Sequence, residues 1–562
     1  MHLKRRSKLL LFLSVLLGFS LLASACGSDD KKDSAGGTGG DDKSSDVAKG
    51  GEFVDLGTIV GDPLEHIDPA LNSTLDGSQI TDAMFDGLTQ IDFTDTENPE
   101  LKGLVAESWA GNDDATVWTF TIKKGLTFSD GSPVLPSSFQ LAWERATDPD
   151  FAGDYAYLAN FLEGGKEKLA GTAKTISGVK VDDAAMTLET TLSAPYANWP
   201  TVAGFQFFYP MPKAVQDVTD QNSVENGLMI GNGPFKLAAP RTSEETVLVK
   251  NDKWAGDIHG NKRPDRLDKI TFRTAADPDT SYNAFEAGEG DDANVAPGRW
   301  GEAKANHKNT IVPALGTRYM EIAWEDPAIG GAKNAKLREA VSLAINREEI
   351  SKAIYDGTNA VATSVIPPGI PGYTKGICKF CKYDPDGAKA ALAEWKAAGN
   401  SQKGPLKLQL NADSGHEPVI QIMVDNLKAV GIEAVADPQP SETYFSKLPD
   451  TCEICRSGWY ADYPTADNFT YDLFGSDAVG GNNHGKYVNP EFDALIAKAK
   501  ASTDEDEAAK AYHDAEDLLL NKDVGVIPYL YYSLDYVYGD NVAKFPITPL
   551  GAIIWEQVAL KS

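Results

Sequence analysis

The sequence predicts an α/β protein of two or more lobes. Its 562 residues exceed what one hydrophobic core ordinarily organises, so the chain is expected to divide. Leu406–Leu410 and Ile432–Val435 have the composition of strands, and Glu417–Val430 between them has the apolar spacing of a helix that ends at a glycine. Such strand-helix-strand units predict mostly parallel sheets, with ligands bound at strand ends or between lobes.

Further elements are predicted along the first part of the chain from the same periodicities. Glu52–Gly57 alternates as a strand, Gln79–Gly87 is helical, and Val117–Ile122 is a strand of aromatic and β-branched residues. Ser137 is expected to cap a helix that runs through Arg145. These elements extend the α/β alternation towards the amino terminus.

The amino terminus is typical of an exported protein. Basic residues within positions 4–8 precede the apolar run Leu9–Gly18, which is too short to cross a bilayer. The mostly small residues Leu22–Ala25 lead to Cys26, an arrangement similar to the cleavage site of a bacterial lipoprotein. Residues 1–25 are therefore a predicted signal peptide, and Cys26 is the predicted site of lipid attachment.

Residues 26–50 are predicted as a flexible tether, because Gly, Ser, Asp and Lys dominate there and cannot bury enough apolar surface to fold. The tether would hold the body at the outer face of the cell membrane, an extracytoplasmic location. No later run in the sequence is long and apolar enough to span a bilayer. The net charge of −30 argues against nucleic acid and anionic lipid surfaces as partners.

One stretch, Cys452–Asp467, carries the features that predict ligand binding. Its centre, Ile454–Tyr460, is short, apolar and aromatic, and predicts a buried strand. Arg456 and Asp462 place opposite charges six positions apart, with Gly458 between them to admit another backbone. A short peptide, cationic at one end and anionic at the other, fits that pattern. Alternatively, the two charges pair with neighbouring side chains and only hold the strand in place.

Seven motifs lie in order along residues 51–562: Trp109, Thr119–Gly125, Phe128–Pro133, Gly231–Lys236, Leu337–Arg347, Asp384–Leu392 and Val488–Ile496. Gly231–Lys236 predicts a turn, because glycine tolerates positive φ, and Leu337–Arg347 predicts an amphipathic helix. Together the motifs resemble the peptide and nickel class of solute-binding proteins of bacterial ABC importers, extracellular family 5, and within it the oligopeptide-binding branch.

That resemblance implies a two-lobed, periplasmic-binding-protein-like α/β fold of type II, cluster C, with an extra inserted domain. It also implies a binding protein that needs neither catalysis nor a cofactor. The implied divisions are lobe I at residues 51–88, 213–273 and 533–562, an inserted small domain at residues 89–212, and lobe II at residues 274–532.

The resemblance also implies roles for the central stretch, which keeps the Arg-x-Gly-Trp-x-Ala-Asp segment of the oligopeptide-binding branch. Asp462 is implied to bind the α-amino group of the ligand, and Arg456 the carboxylate of a short ligand. Gly458 and Tyr460 are implied to give backbone hydrogen bonds to the peptide main chain. Trp459 is expected to pack beside the ligand.

Four further tyrosines occupy positions where the resemblance favours the ligand cleft. Tyr155 and Tyr157 fall in a segment of the smaller lobe, and Tyr531 and Tyr532 lie on the late strand that re-enters the first lobe. Burial in the core is an equal alternative for each of them, as it is for Trp459, because buried aromatic residues are common core residues.

Four cysteines besides Cys26 form two pairs of equal spacing, Cys378 with Cys381 and Cys452 with Cys455. The pairs are too far apart in sequence for an ordinary zinc ribbon, and neither has the helix-start setting of a redox motif. Outside the cytoplasm, disulfides are expected. Two local bridges are favoured, with cross-pairing of the two motifs as the alternative, and no metal site is predicted.

The sequence therefore predicts an extracytoplasmic, lipid-anchored monomer that captures oligopeptides between two lobes and delivers them to an ABC permease. Another solute, such as a dipeptide, a nickel chelate or a sugar, is an alternative within the family. A secreted hydrolase is the alternative from another class. Its signals are poor, because Gly480–Lys486 is followed by Tyr487 where a phosphate loop needs Ser or Thr, and the seven histidines are scattered.

Overall fold

A computed structural model describes residues 47–61, 66–94, 99–151, 153–215, 218, 227–254, 257–258, 261–262, 267–295, 298–412, 415–440 and 443–562. The predicted signal peptide, Cys26 and most of the predicted tether lie outside these residues. Val47 forms a bridge with Lys561, and the N–H of Ala48 donates to the carbonyl of Leu560 at 2.9 Å. The last residues of the predicted tether are therefore part of the folded body.

Strands and helices alternate along the described chain. The strands of its first half are β1 (Glu52–Asp55), β2 (Thr89–Asp92), β3 (Glu100–Gly103), β4 (Ala106–Gly111), β5 (Val117–Ile122), β6 (Val179–Asp182), β7 (Thr187–Thr191), β8 (Phe235–Leu237), β9 (Glu245–Lys250), β10 (Asp257–Ile258), β11 (Asn261–Lys262) and β12 (Lys269–Arg273). The strands of its second half are β13 (Asp292–Ala293), β14 (Lys308–Ile322), β15 (Leu406–Asn411), β16 (Ala434–Gln439), β17 (Ile454–Tyr460), β18 (Val526–Tyr538), β19 (Val542–Lys544) and β20 (Ala559–Leu560). The helices are α1 (Leu75–Met84), α2 (Pro136–Ala146), α3 (Gly165–Leu169), α4 (Trp199–Val202), α5 (Pro278–Glu286), α6 (Trp300–Asn306), α7 (Ala335–Ala344), α8 (Arg347–Tyr355), α9 (Pro385–Ala397), α10 (Glu417–Ala429), α11 (Tyr444–Thr451), α12 (Asp467–Phe474), α13 (Pro490–Ala501) and α14 (Glu505–Asp517).

The largest sheet has six strands in the order β13-β18-β14-β17-β15-β16. Its centre is the long pair β14 and β18, and β17 joins the other side of β14 with Gly316 opposite Tyr460 and Ile322 opposite Ile454. The predicted strand Ile454–Tyr460 is confirmed with the same bounds. Its position inside the sheet explains why four of its seven residues are buried.

The prediction of mostly parallel sheets is wrong. In the six-stranded sheet only two pairs run parallel, β15 with β16 and β15 with β17. The pairs β13 with β18, β14 with β17 and β14 with β18 are antiparallel. A strand-helix-strand unit constrains only the two strands it connects, and β15-α10-β16 obeys that rule. The partners of β14, β17 and β18 are remote in sequence, so their directions are set by packing and not by a crossover helix.

Two smaller sheets and their apolar core occupy the rest of the body. The sheet β1-β12-β9-β8 has one parallel pair, β1 with β12, and the sheet β4-β5-β7-β6 is antiparallel throughout. One core cluster joins these sheets through large buried side chains such as Trp143, Trp199 and Trp555. Separate clusters pack on the six-stranded sheet, including Val341 and Phe469. The pairs β2-β3, β10-β11 and β19-β20 complete the topology.

Side-chain caps and a glycine fix the ends of several helices. Asp384 caps α9 and Asn489 caps α13, each accepting a hydrogen bond from a first-turn backbone N–H. Gly431 follows α10 with φ of +85°, which confirms it as the residue that ends this helix. The predicted helix Gln79–Gly87 instead begins four residues earlier, where Thr74 caps α1.

The predicted single helix Leu337–Arg347 is wrong, because the chain forms two helices there. Helix α7 ends at Ala344, Ile345 is extended, and α8 begins at Arg347. The side chain of Asn346 accepts from the N–H of Glu349 at 3.2 Å, so it caps α8 and fixes the break.

The prediction that Ser137 caps α2 is wrong, because Ser137 lies inside the first turn of this helix. The extended residue before the helix is Leu135, whose N–H donates to the hydroxyl of Ser138 at 3.2 Å. The N–H and hydroxyl of Ser137 donate to Asp183 at 2.9 and 2.8 Å. Ser137 therefore connects α2 to the turn after β6.

The turn predicted at Gly231–Lys236 is present, but its physical basis differs from the prediction. Neither Gly231 nor Gly233 has positive φ. A Cβ on either residue would overlap the backbone of Met84 at the end of α1, so glycine is needed there for close approach.

None of the helices in the described part of the chain combines the length and the apolar character that crossing a membrane requires.

Candidate functional site

The stretch predicted to bind ligand lies on β17, which is covered along only one edge for most of its length. On one side β14 pairs with every residue from Ile454 to Tyr460. On the other side β15 pairs only with Ile454 and Cys455. Within the described residues, no strand covers the second edge of 456–460. We call 456–460 on that side the open edge.

The backbone groups of three predicted residues are directed at the open edge. The N–H of Ala461 donates to the carbonyl of Leu315 on β14 at 2.7 Å. In an antiparallel pair, residues directed towards the partner strand alternate with residues directed away. Counting back from Ala461, the amides of Arg456, Gly458 and Tyr460 therefore point away from β14. The N–H and C=O groups of Gly458 and Tyr460 are placed for an added strand, whereas the carbonyl of Arg456 already accepts from the hydroxyl of Tyr444.

Arg456 is a buried cation without a counter-ion. Its side chain is 8% exposed, its Nε is buried with no hydrogen-bond partner, and its Nη1 lies 3.5 Å from Oδ1 of Asn411. No carboxylate of the described residues lies within ion-pair distance of it. Its carbonyl accepts from the hydroxyl of Tyr444 at 2.9 Å, which agrees with the direction of the open edge. A buried unpaired charge is costly, so this guanidinium indicates an anionic ligand group.

Asp462 lies at the other end of the open edge and has only neutral donors. Its Oδ1 accepts from the hydroxyl of Tyr155 at 2.7 Å, and its Oδ2 accepts from Nδ2 of Asn468 at 3.0 Å. Burial raises the pKa of Asp462 to about 6, against the opposing effect of these hydrogen bonds. No cation of the described residues pairs with it. The carboxylate is suited to an ammonium group.

Asn468 orients this carboxylate and was missed by the sequence analysis. Its Oδ1 accepts from the backbone N–H of Asp462 and from Nε1 of Trp459, both at 3.0 Å. Its Nδ2 also donates to Oδ2 of Asp472 at 3.0 Å. Asn468 is the second residue of α12, so the turn after β17 places it beside the strand. Trp459 is thus half-buried against this network.

A cavity of about 350 Å³ opens at the Asp462 end. Four of the predicted residues line it: Tyr155, Trp459, Tyr460 and Asp462. The described residues of its lining include four carboxylates and no Lys, Arg or His; the carboxylates are Asp82, Asp86, Asp462 and Glu556. The electrostatic field in the cavity therefore favours a cation, whereas the Arg456 end favours an anion.

Above Gly458, aromatic rings and a guanidinium form a stack. The rings of Tyr460 and Tyr532 lie 4.1 Å apart, and the guanidinium of Arg318 lies 3.8 Å from the ring of Tyr532 and 4.8 Å from that of Tyr355. Arg318 belongs to β14, directly opposite Gly458. The sequence analysis missed Arg318.

The other predicted tyrosines divide between two environments. The ring of Tyr157 lies 6.4 Å from that of Tyr155, and its hydroxyl is buried without a partner. Tyr531 is buried, and its hydroxyl accepts from the N–H of Thr363 at 3.2 Å. Neither residue lines the cavity at Asp462. Tyr532 is also buried but packs on the candidate site through Tyr460.

Both local disulfides are present. Cys378 bonds to Cys381, and Cys452 bonds to Cys455, which confirms the favoured pairing over the cross-pairing. The second bridge spans the start of β17, directly before Arg456. It constrains the strand that carries the unpaired cation.

The mixed α/β sheets together with this charged strand edge define the class, a two-lobed solute-binding protein with a periplasmic-binding-protein-like fold. Residues 100–481 match the model of the bacterial extracellular solute-binding proteins, family 5 Middle. The match covers more than half of the chain, which therefore belongs to the bacterial extracellular solute-binding proteins of family 5. Members of this family are extracytoplasmic binding proteins that serve transporters and are not enzymes, so the hydrolase alternative is set aside.

Similar proteins extend the match to almost the whole chain. The oligopeptide-binding protein OppA of Bacillus subtilis (strain 168) is 27% identical over 567 residues, with 98% of both chains covered. The dipeptide-binding protein DppE of the same organism is 26% identical over 561 residues, again with 98% of both covered. The crystal structure of Haemophilus influenzae OppA in complex with RPPGFSPFR shares the fold, with a TM-score of 0.72 at 24% identity over 92% of this chain and 100% of that one.

Proposed function

We propose that the protein is an extracytoplasmic lipoprotein that binds oligopeptides in a cleft between two lobes and delivers them to an ABC import permease. The observation that carries the proposal is the pair Arg456 and Asp462. These are opposite, unneutralised charges at the two ends of an open strand edge. A free peptide supplies the complementary charges at its termini and the amides between them.

The peptide would lie extended along the open edge, with its amino end at Asp462. The carboxylates of the cavity favour the ammonium there, and the guanidinium of Arg456 favours the terminal carboxylate. The amides of Gly458 and Tyr460 would pair with the peptide main chain. Six residues of strand span roughly 20 Å, and the long Arg456 side chain shortens this gap to suit a peptide of a few residues.

The names of the two Bacillus relatives favour a peptide over the other solutes that the family accommodates. One relative is named for oligopeptides and the other for dipeptides. A sugar would leave both charges of the site unpaired, which is costly in a buried setting. A dipeptide and a nickel chelate are the alternative solutes. The size of the bound molecule distinguishes each of them from an oligopeptide.

The division into lobes gives this binding a mechanism of closure. Tyr155 belongs to the proposed inserted domain, residues 89–212, and contacts Asp462 of the proposed lobe II, residues 274–532. Lobe I would comprise residues 51–88, 213–273 and 533–562. A ligand that bridges these parts stabilises the closed form, which the permease would then recognise. Lipid attachment at Cys26 and the tether 26–50 would hold the protein, as a monomer, near that permease.

Mass spectrometry of the purified, undenatured protein tests the proposal. We expect co-purifying molecules with the masses of short peptides that carry free amino termini, released on denaturation. A population made only of non-peptide solutes would contradict the peptide assignment while leaving the transport role intact.

A further inference from the structure

Arg318 and Arg456 present two guanidinium groups on the same face of the six-stranded sheet. Arg318 lies opposite Gly458, and Met320 lies opposite Arg456. Residues directly opposite in an antiparallel pair share a face, and diagonal neighbours are separated by roughly 7–8 Å, with their Cβ atoms somewhat closer. The two arginines are diagonal neighbours. Because Gly458 has no side chain, nothing on β17 separates them.

The guanidinium of Arg318 has unused donors. Its Nε donates to Oδ1 of Asn359 at 3.3 Å, and its plane stacks on Tyr532 and Tyr355. Its two Nη groups make no hydrogen bond to any described residue. Asp535 on β18 lies beyond ion-pair distance and accepts from the hydroxyl of Ser533, although the charge of Arg318 partly opposes the rise in the pKa of Asp535 that burial causes.

The positive charges of Arg456 and Arg318 both act on His416. This residue precedes α10 and is half-buried. Burial lowers the pKa of His416 to about 2, and repulsion by Arg456 and by Arg318 contributes to that shift. The imidazole is therefore neutral and adds no positive charge to that of the two guanidinium groups.

One terminal carboxylate cannot neutralise two guanidinium groups. In the proposed binding mode the carboxylate of a short peptide meets Arg456, whose buried Nε lacks a partner. Arg318 would keep an uncompensated charge with free donors beside the bound peptide. Placing a second anion there removes a desolvation cost and adds charge-assisted hydrogen bonds. The stacking on tyrosines holds the guanidinium in position for this contact.

We infer that Arg318 is a specificity-determining residue that selects peptides with an acidic side chain within their last two residues. The terminal carboxylate would bind Arg456, and the aspartate or glutamate side chain would bind the free Nη groups of Arg318. This inference rests on the proposed peptide-binding function and names a substrate class for it.

Calorimetry on the full chain, freed of bound ligand, tests the inference with matched tripeptides. Ala-Ala-Glu is compared with Ala-Ala-Gln, and Ala-Glu-Ala with Ala-Gln-Ala, so that only one charge changes in each pair. For the wild-type protein we expect at least one glutamate peptide to bind about tenfold or more tightly than its glutamine partner. In Arg318→Gln that ratio should fall to about one, because the glutamate side chain loses its partner.

Two further variants act as controls. Arg273→Gln removes an exposed arginine of β12 and should keep the wild-type ratio. Arg318→Lys keeps the charge and should keep part of the preference for the glutamate peptide. If Arg318→Gln does not fold, the ratios of the wild-type protein and of Arg318→Lys decide the test. A wild-type ratio near one would overturn the inference, as would equal weakening of both peptides in Arg318→Gln.

The proposed function fails separately. Binding of Ala-Ala-Ala without any preference for glutamate overturns only the role of Arg318. Failure of every tripeptide to bind the wild-type protein overturns the proposed function and this inference with it.

Discussion

Gly458 lies directly beneath the hydroxyl of Tyr532, so closely that a Cβ at position 458 would overlap the hydroxyl oxygen and lie 3.1 Å from Cζ. The two residues come from β17 and β18, which are not neighbours in the sheet. Tyr532 therefore reaches across β14 and lies over Gly458 on one face of the sheet. The absence of a side chain at Gly458 is what permits the stack of Tyr460, Tyr532 and Arg318.

Gly458→Ala is expected to weaken peptide binding by about tenfold or more, because the added methyl group displaces Tyr532 and with it Arg318. Calorimetry with a tripeptide measures the loss, and thermal unfolding measures the accompanying strain. Tyr532→Phe in the same chain removes the overlapping oxygen and should restore part of the affinity. A double variant as weak as Gly458→Ala would show that the two residues do not act through this contact.

Asp462→Asn should weaken free peptides far more than N-acetylated ones. The amide keeps the size of the side chain, its oxygen can still accept from Asn468, and its NH2 can donate to the hydroxyl oxygen of Tyr155, but it loses the charge that pairs with an ammonium. Calorimetry with each peptide and its N-acetyl form gives the comparison. Asp386→Asn, an exposed carboxylate of α9, is the matched control. Equal losses for both peptide forms would refute the anchoring role.

Arg456→Met should penalise short peptides more than long ones, because only the carboxylate of a short peptide reaches position 456. Methionine fills a similar volume without the buried charge, so the ligand-free protein should be no less stable. Affinities for a series of alanine peptides of increasing length test this. A loss that is uniform across lengths would show that Arg456 acts on the strand and not on the ligand terminus.

Peptide affinity should fall below about pH 6, by up to tenfold per pH unit. Burial raises the pKa of ligand-free Asp462 to about 6, so acid neutralises the anchor while the peptide amine stays protonated. Calorimetry between pH 4.5 and 8 should show this slope in the wild-type protein and lose it in Asp462→Asn. His416 does not contribute in this range, because its pKa is lowered to about 2 by burial and by the two arginines.

The thermal stability of the ligand-free protein should rise as the pH falls from 7 to 5, whereas the peptide affinity falls at low pH. Carboxyl groups with a raised pKa bind more protons in the folded state than in the unfolded state, so stability rises as pH falls from 7 to 5. Burial is the main cause of the raised pKa at six positions: about 6 for Asp55, Asp76, Asp82 and Asp462, and about 7 for Asp472 and Glu516. Melting temperatures that decline steadily from pH 7 to pH 5 would contradict this assignment.

The features that the sequence predicted well are local ones. The bounds of β17 and the glycine after α10 depend on side chains within a few residues. The spacing of Arg456 and Asp462 on one strand is likewise a property of consecutive residues. The errors at Leu337–Arg347 and Ser137 concern where a helix begins, because Asn346 caps a second helix and α2 starts before Ser137.

The site as a whole depends on contacts that no local pattern contains. The bond from Tyr155 to Asp462 joins residues 307 positions apart, and Arg318 meets Gly458 only because β14 and β17 pair antiparallel. The open edge exists because β15 separates from β17 after Cys455. Sequence alone determined which residues carry charge and where strands and helices form, since those depend on neighbouring residues. Only the tertiary structure decided strand direction, the uncovered edge and the unpaired charges, because these follow from packing between remote segments.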